Sequence, residues 1–567
     1  MIDALGPFCV TDDTRATVNW SKVPFATIET GGRLTKDTRD RIARNFETYV
    51  GKVAALGYDS LSIDDLAHLV VLPFYNSDLQ ALLGEYRLLY KRLFAIAGRH
   101  GMCVFVNTDY LFFNDDIRKH LLTEQKAPDE FYAELLEQAL ARWPQIDGVI
   151  LRVGEKDGND VTGHFLSQLM LRTPAQANAL IKKILPVFET RGKTLVFRTW
   201  TVGAYPIGDL IWNKKTYDKT FAGITSDALV VSMKYGDTDF MRHLALNPLF
   251  GRGGHKTIVE LQTRREWEGM GMFPSFVGWD YAGYLRRLAK NPNVIGLHAW
   301  CQTGGWAKRE WSNLTYLDGS SPWNELNTEV TIDIARYGMT VEQAIDKFCE
   351  RRQMSNTKGF IELLRHSDIA IKKGLYVADL AQKSYYFRRT RIPTLMWATW
   401  DRIHVPSVVV YLHRMLLPRP NDVIAHGAEA ESAADRMIAL AEELGLSDQM
   451  QSSLRFERDT LVIFADLRQY MLRAQSDAWL DRANAKIATY ERTYPQHYSF
   501  PRLVSVKNRR LRRSLLVPFV RESRPYRKRD RIFLKTSPLQ ARLIRYYLRL
   551  SKSHLSEQSM GLETLFK

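Results

Sequence analysis

Apolar and polar residues follow one another along this chain in two rhythms. Short apolar runs bounded by Gly, Asn or charge read as buried strands. They are FATIET (25–30), YDSLSI (58–63), CVFVNT (103–108), GVILRVG (148–154), TLVFRTW (194–200), ALVVSMK (228–234), TIVELQ (257–262) and NVIGLHAW (293–300). Between them lie stretches with apolar residues three and four apart, such as RDRIARNFETYVGKVAALG, DEFYAELLEQALARW and QANALIKKILPVFETRG. Several of these helices close on Gly, the residue best suited to a left-handed C-cap. Eight strands alternating with helices over roughly 280 residues predict a (β/α)8 TIM barrel spanning 24–335, behind an N-terminal extension of residues 1–23. A doubly wound open sheet is the competing α/β arrangement, but no Gly-rich phosphate loop follows the first strand.

The rhythm changes after about residue 335. VEQAIDKFCERR, AESAADRMIALAEELG and SDAWLDRANAKIATYERTY keep the helical period with few strand-like runs. A mostly α-helical C-terminal domain is therefore expected over 336–500, followed by a tail over 501–567.

Charge alters this picture at one end only. The 567 residues carry a net charge of +16, and Arg502 to Lys552 holds 17 Lys/Arg against Glu522 and Asp530. The rest of the chain is close to neutral, which argues against a nucleic-acid-binding body. Within the basic tail, PLQARLIRYYLRLSK (538–552) places Leu539, Leu543, Tyr546, Tyr547 and Leu550 largely on one side. Such a basic amphipathic helix suits an anionic membrane surface, and equally an acidic polysaccharide; the arginines would also serve a homodimer contact or a plain solvated face. The four cysteines are far apart, no apolar run approaches the roughly 18 residues of a membrane span, and the N-terminus lacks a basic-then-apolar signal pattern. The expected location is cytoplasmic, with the tail allowing peripheral contact at the inner membrane.

Candidate chemistry sits where the strands end, since barrel enzymes build their sites from the C-terminal ends of strands and the loops that follow. Glu155 closes the fourth strand. Arg198 and Trp200 close the fifth, and Lys234 closes the sixth ahead of Asp237 and Asp239. Glu260 and Gln262 lie on the seventh, with Glu266 in its loop. His298 and Trp300 lie on the eighth, with Trp306 beyond. Paired carboxyls suit glycoside hydrolysis, in which one protonates the leaving oxygen and another activates water or attacks the anomeric carbon. Trp200, Trp300 and Trp306 offer faces for sugar rings, with core packing as the alternative. The cations would pair with an anionic substituent. Asp237 is expected to be a solvated loop acid and His298 a satisfied core histidine, while Glu260 is placed to orient a cation.

Residues 234–269 carry a more specific pattern: Lys234-Tyr-Gly-Asp-Thr-Asp239-Phe, Asn-Pro-Leu-Phe-Gly (247–251), Val-Glu260-Leu-Gln262 and Arg-Glu266-Trp-Glu-Gly. This block resembles glycoside hydrolase family 67, the α-glucuronidases, with matching spacing between elements. The resemblance implies hydrolysis of an α-linked uronic acid, from an acidic oligosaccharide or polysaccharide, by single displacement with inversion and without metal or organic cofactor. It implies that Asp239 and Glu266 position and deprotonate the attacking water, and that Glu155 is the general acid. It also implies that Arg152, Arg198 and Lys234 hold the sugar carboxylate. By their strand-end positions, Trp200, Glu260, Gln262, Trp300 and Trp306 are expected around the substrate. The family has one more residue between the first cation and the acid than Arg152-Val-Gly-Glu155 provides. Its N-terminal β-rich domain has no counterpart before a first strand near residue 25. Another reading fits the same rim: a non-catalytic or differently specific barrel protein binding an acidic glycan in exopolysaccharide synthesis or turnover. For the enzyme, Glu155 must be protonated near neutral pH, and an inverting site needs roughly 6.5–9.5 Å between acid and base.

Overall fold

The computed structural model describes residues 1–4, 23, 25–153, 163–167, 170–201, 206–302, 321–384, 417, 419–473 and 477–494, with 532, 536 and 539 in addition. Glu155, Trp306 and almost all of the basic tail lie outside the described residues.

Eight parallel strands close into a barrel: β1 (Ile2–Asp3), β2 (Ser60–Ile63), β3 (Cys103–Asp109), β4 (Gly148–Arg152), β5 (Thr194–Arg198), β6 (Leu229–Lys234), β7 (Lys256–Gln262) and β8 (Val294–Trp300). Each strand pairs with its neighbours in chain order, and β1 closes the ring by pairing with both β2 and β8. The architecture is the expected (β/α)8 barrel with helices following it. One strand is not where the sequence pointed. Residues 25–28 form a short helix, and the first strand is Ile2–Asp3, inside the segment set apart as an N-terminal extension. Two residues are too few to show any period, whereas FATI offered a run of strand-forming residues that packing turned helical.

The connecting helices follow from capping as much as from amphipathicity. Lys36–Leu56 starts on Thr35, whose side chain accepts from the Thr38 N–H, and stops at Gly57 with φ +102°. Pro174–Arg191 begins with a full capping box between Thr173 and Gln176 and ends at Gly192, also left-handed. Between β6 and β7 no helix forms among the described residues, and loops fill residues 235–255.

Alternation along the strands divides the barrel interior into two levels. Ile150, Val196, Val230 and Ile258 pack together with Phe105 and Met1, apart from the main core. With a period of two, the next inward positions are Arg152 on β4, Arg198 on β5, Ser232 on β6 and Glu260 on β7. Lys234 and Gln262 follow one step further on. The floor is therefore apolar and the mouth charged. Gly148 opens β4 because a Cβ there would sit 2.5 Å from the Thr194 carbonyl oxygen and 2.6 Å from the Phe105 ring.

Helices Val341–Arg351, Thr357–Ile369, Pro420–Glu443, Asp448–Leu472 and Asp477–Thr493 follow the barrel. Two of them pack on the loop after β7: Phe456 of Asp448–Leu472 meets Phe273 edge-on at 5.2 Å, and the Ser367 hydroxyl of Thr357–Ile369 donates to the Pro274 carbonyl. No helix among the described residues is long and apolar enough to cross a membrane.

Candidate active site

The sixth and seventh strands bring two carboxyls and one ammonium together. Lys234, the last residue of β6, donates to Asp239 Oδ1 at 2.5 Å, and the Phe240 N–H donates to the same oxygen at 2.9 Å. The ammonium lies 3.4 Å from the Trp200 ring centre and 4.2 Å from that of Phe240, so aromatic faces and a carboxylate together hold it. Glu266 enters from the loop after β7 and shares a hydrogen bond with Asp239. Gln262 fixes Glu266 at two points: its Nε2 donates to Oε2 at 3.0 Å, and its Oε1 accepts the Glu266 N–H at 3.0 Å.

Two adjacent carboxyls beside one cation, Glu266 buried and Asp239 part-buried, cannot both ionise cheaply. Burial alone would raise Asp239, but Lys234 against it holds the carboxyl below the usual carboxylate range. Burial, and next the Asp239 charge, push Glu266 up to about 8, against the smaller pull of Lys234 and Gln262. At neutral pH the pair therefore holds one proton. Asp239 is the anion and Glu266 the neutral donor that stabilises it.

Next to this pair, Glu260 is fully buried inside the barrel. Arg198 Nε donates to its two oxygens at 3.1 and 3.0 Å, Ser232 Oγ to Oε1 at 2.7 Å, and Trp300 Nε1 to Oε2 at 3.1 Å. Burial opposes its ionisation, yet Arg198 keeps it below the usual range. The Arg198 guanidinium sits 4.7 Å from the Trp300 ring centre, and the His298 ring packs against the same indole at 4.0 Å. Trp300 is thus engaged by protein groups on its edge and over its rings, and only 3% of it is exposed. It belongs to the packed barrel interior, as do Glu260 and Gln262. His298 bonds Ser62 Oγ at 2.9 Å, and burial pushes its imidazole well below its ordinary value, so it is neutral.

Arg152 turns to a different partner. Its Nε lies 2.9 Å from Oδ1 of Asp109 on the adjacent strand β3, and the Ser167 hydroxyl donates to the same carboxylate. Arg152, Arg198 and Lys234 thus occupy inward positions on three neighbouring strands, and each meets its own carboxylate: Asp109, Glu260 and Asp239. Asp237 is half-buried in the β6 loop. Sequence reasoning missed Asp109, although it stands four residues beyond inward-facing Phe105 on the same period of two. It also missed Arg265, Glu268 and Tyr281, which no spacing rule distinguishes from ordinary loop and helix residues. Among the described residues no group of three or more His, Cys, Asp or Glu is arranged to hold a metal ion.

No family model matches the chain, and no curated protein matches it. Similar solved structures include a GH138 enzyme targeting pectin rhamnogalacturonan II, at 12% identity and TM-score 0.49 over 92% of this chain and 67% of that one. Another is a mutant O-GlcNAc hydrolase of Thermobaculum terrenum, at 11% identity and TM-score 0.38 over 93% of this chain and 96% of that one. A third is a D-psicose 3-epimerase from Clostridium cellulolyticum, at 14% identity and TM-score 0.29 over 52% of this chain and 94% of that one. The site is therefore read from its own geometry.

Proposed function

We propose that this chain is a glycoside hydrolase that cleaves its substrate in a single displacement. The observation that carries the reading is the hydrogen-bonded pair Asp239–Glu266 beside Lys234 at the ends of two barrel strands. Ionised Asp239 takes a proton from water as the water oxygen bonds to the anomeric carbon. Neutral Glu266 donates to Asp239 and holds the water's approach direction. The bond from the anomeric carbon to the leaving oxygen breaks, and Glu155, whose place lies outside the described residues, supplies the proton that oxygen needs.

The substrate class we propose is an α-linked uronic acid or a related acidic sugar. It is supported by the resemblance of residues 234–269 to the α-glucuronidases and by three cations on neighbouring strands. Because each cation already meets a protein carboxylate, a sugar carboxylate would enter as a further acceptor of the Arg152, Arg198 and Lys234 donors. The basic run from Arg502 to Lys552 is proposed to meet a polyanion, either anionic lipid or the acidic polysaccharide itself.

A panel of aryl α-glucuronides, aryl α-galacturonides and their neutral counterparts tests this reading. Turnover of an acidic member that Glu155→Gln and Asp239→Asn each abolish supports it. Turnover confined to neutral members removes the uronate and keeps the glycosidase. Binding of acidic oligosaccharides without any turnover by the wild type would instead favour the non-catalytic glycan-binding barrel.

A further inference from the structure

The turn that carries Glu266 is held from behind, on the side of the helical region. Arg265 has φ +57°, Gly269 +91°, Met270 +48° and Gly271 +84°, so left-handed residues recur within this one short loop. For Arg265 and Met270 that conformation is strained and persists only where surrounding bonds impose it. Glu268, fully buried two residues beyond Glu266, supplies those bonds. It accepts from Arg265 Nε at 3.0 Å and Nη2 at 2.5 Å, from the Ser275 hydroxyl, and from the Tyr376 hydroxyl at 2.5 Å. Burial opposes its charge, but Arg265 and then Arg242 hold the carboxyl down to about 2.

The bonds continue towards the carboxyl pair. Arg265 Nη1 donates to the Tyr281 hydroxyl at 3.2 Å. That hydroxyl donates to the Gln262 carbonyl at 2.6 Å and accepts the Gln262 N–H at 3.1 Å, taking the place of a ladder partner at the end of β7. Gln262 then grips Glu266 through both ends of its amide. An unbroken series of hydrogen bonds runs from Tyr376 through Glu268, Arg265, Tyr281 and Gln262 to Glu266. Its tyrosines and charged members are all buried.

We infer that Tyr281 and Tyr376 are positioning residues for Glu266: through this series the helical region sets where the carboxyl of Glu266 stands against Asp239. The inference rests on reading that pair as the reacting one. The charged groups acting directly on Glu266 are Asp239 and Lys234, with the Gln262 amide favouring its ionised form. Loosening Gln262 weakens that amide bond, so the carboxyl should hold its proton to higher pH.

Tyr281→Phe and Tyr376→Phe in the full chain test this, each deleting one hydroxyl and leaving the ring. Infrared difference titration reads the Glu266 carboxyl, assigned by its loss in Glu266→Gln, and steady-state kinetics reads kcat and KM on the glycoside turned over. Tyr281→Phe is expected to raise the Glu266 midpoint by about half a pH unit and to lower kcat about tenfold with KM within about twofold, the scale of one lost hydrogen bond. Tyr376→Phe moves both the same way by less. Lowered thermal stability with an unmoved midpoint in both variants would overturn the inference, leaving the tyrosines as plain structural ties. If the wild type turns over no glycoside, the glycosidase reading falls, and the titration still decides the positioning role.

Discussion

Two ion pairs on the same barrel mouth stand in different surroundings. At β3–β4, the Arg152 guanidinium meets the Asp109 carboxylate, with Ser167 donating to that same carboxylate. At β6–β7, one ammonium, Lys234, faces two carboxyls, Asp239 and Glu266. The first arrangement ties two adjacent strands together. The second leaves one carboxyl in excess, and the excess is resolved by a proton that titrates near neutral pH. Perturbed carboxyls of this kind are suited to acid–base chemistry, whereas an ion pair across adjacent strands is suited to structure.

Breaking each pair should therefore have a different consequence. Asp239→Asn removes the ionised base, and turnover should fall by about 10³-fold while circular dichroism and the unfolding midpoint stay near wild type. Asp109→Asn removes the carboxylate that the buried Arg152 meets on β3 and should cost about 3 kcal/mol in denaturant unfolding, with a much smaller loss of turnover per folded molecule. If these two effects were interchanged, the division of roles between the pairs would be wrong.

The pH dependence sharpens the contrast. Folding raises the Glu266 pKa from its ordinary range to about 8, so the folded state keeps a proton that the unfolded chain has released. Its contribution to stability is full below the unfolded pKa, and declines as pH rises through the folded one. Glu266→Gln carries no such titration. Its Tm relative to wild type should rise by a few degrees between pH 5 and pH 9, even as its activity is lost. Wild-type kcat/KM should in turn fall as pH passes about 8. The smallest effect is expected at Trp300. Trp300→Phe deletes the bond to Glu260 and should cost about 1 kcal/mol of stability, with KM changed less than about twofold because the indole is already engaged by Arg198 and His298.

Seven of the eight strands were legible because each carries apolar residues buried in the barrel, most of them β-branched or aliphatic. Strand β1 was not, since Ile2–Asp3 is held by its two neighbours rather than by any pattern of its own. The charged mouth was legible for the same reason that Arg152, Lys234 and Glu260 stand out: ionic groups at inward positions of otherwise apolar strands need partners. The partners themselves were less legible. Asp109 follows the strand period, but the bonds of Glu268, Arg265, Tyr281 and Tyr376 depend on loop conformations and on helices distant in sequence. Residues 268 and 376 meet only because the helical region packs on the β7 loop.

The shared proton is the centre of the account, and infrared difference titration of the wild type against Glu266→Gln measures it without any substrate. A protonated carboxyl band, absent from the variant, is expected to persist through neutral pH and to disappear near pH 8. Loss of that band by pH 5, at the ordinary glutamate pKa, would contradict it.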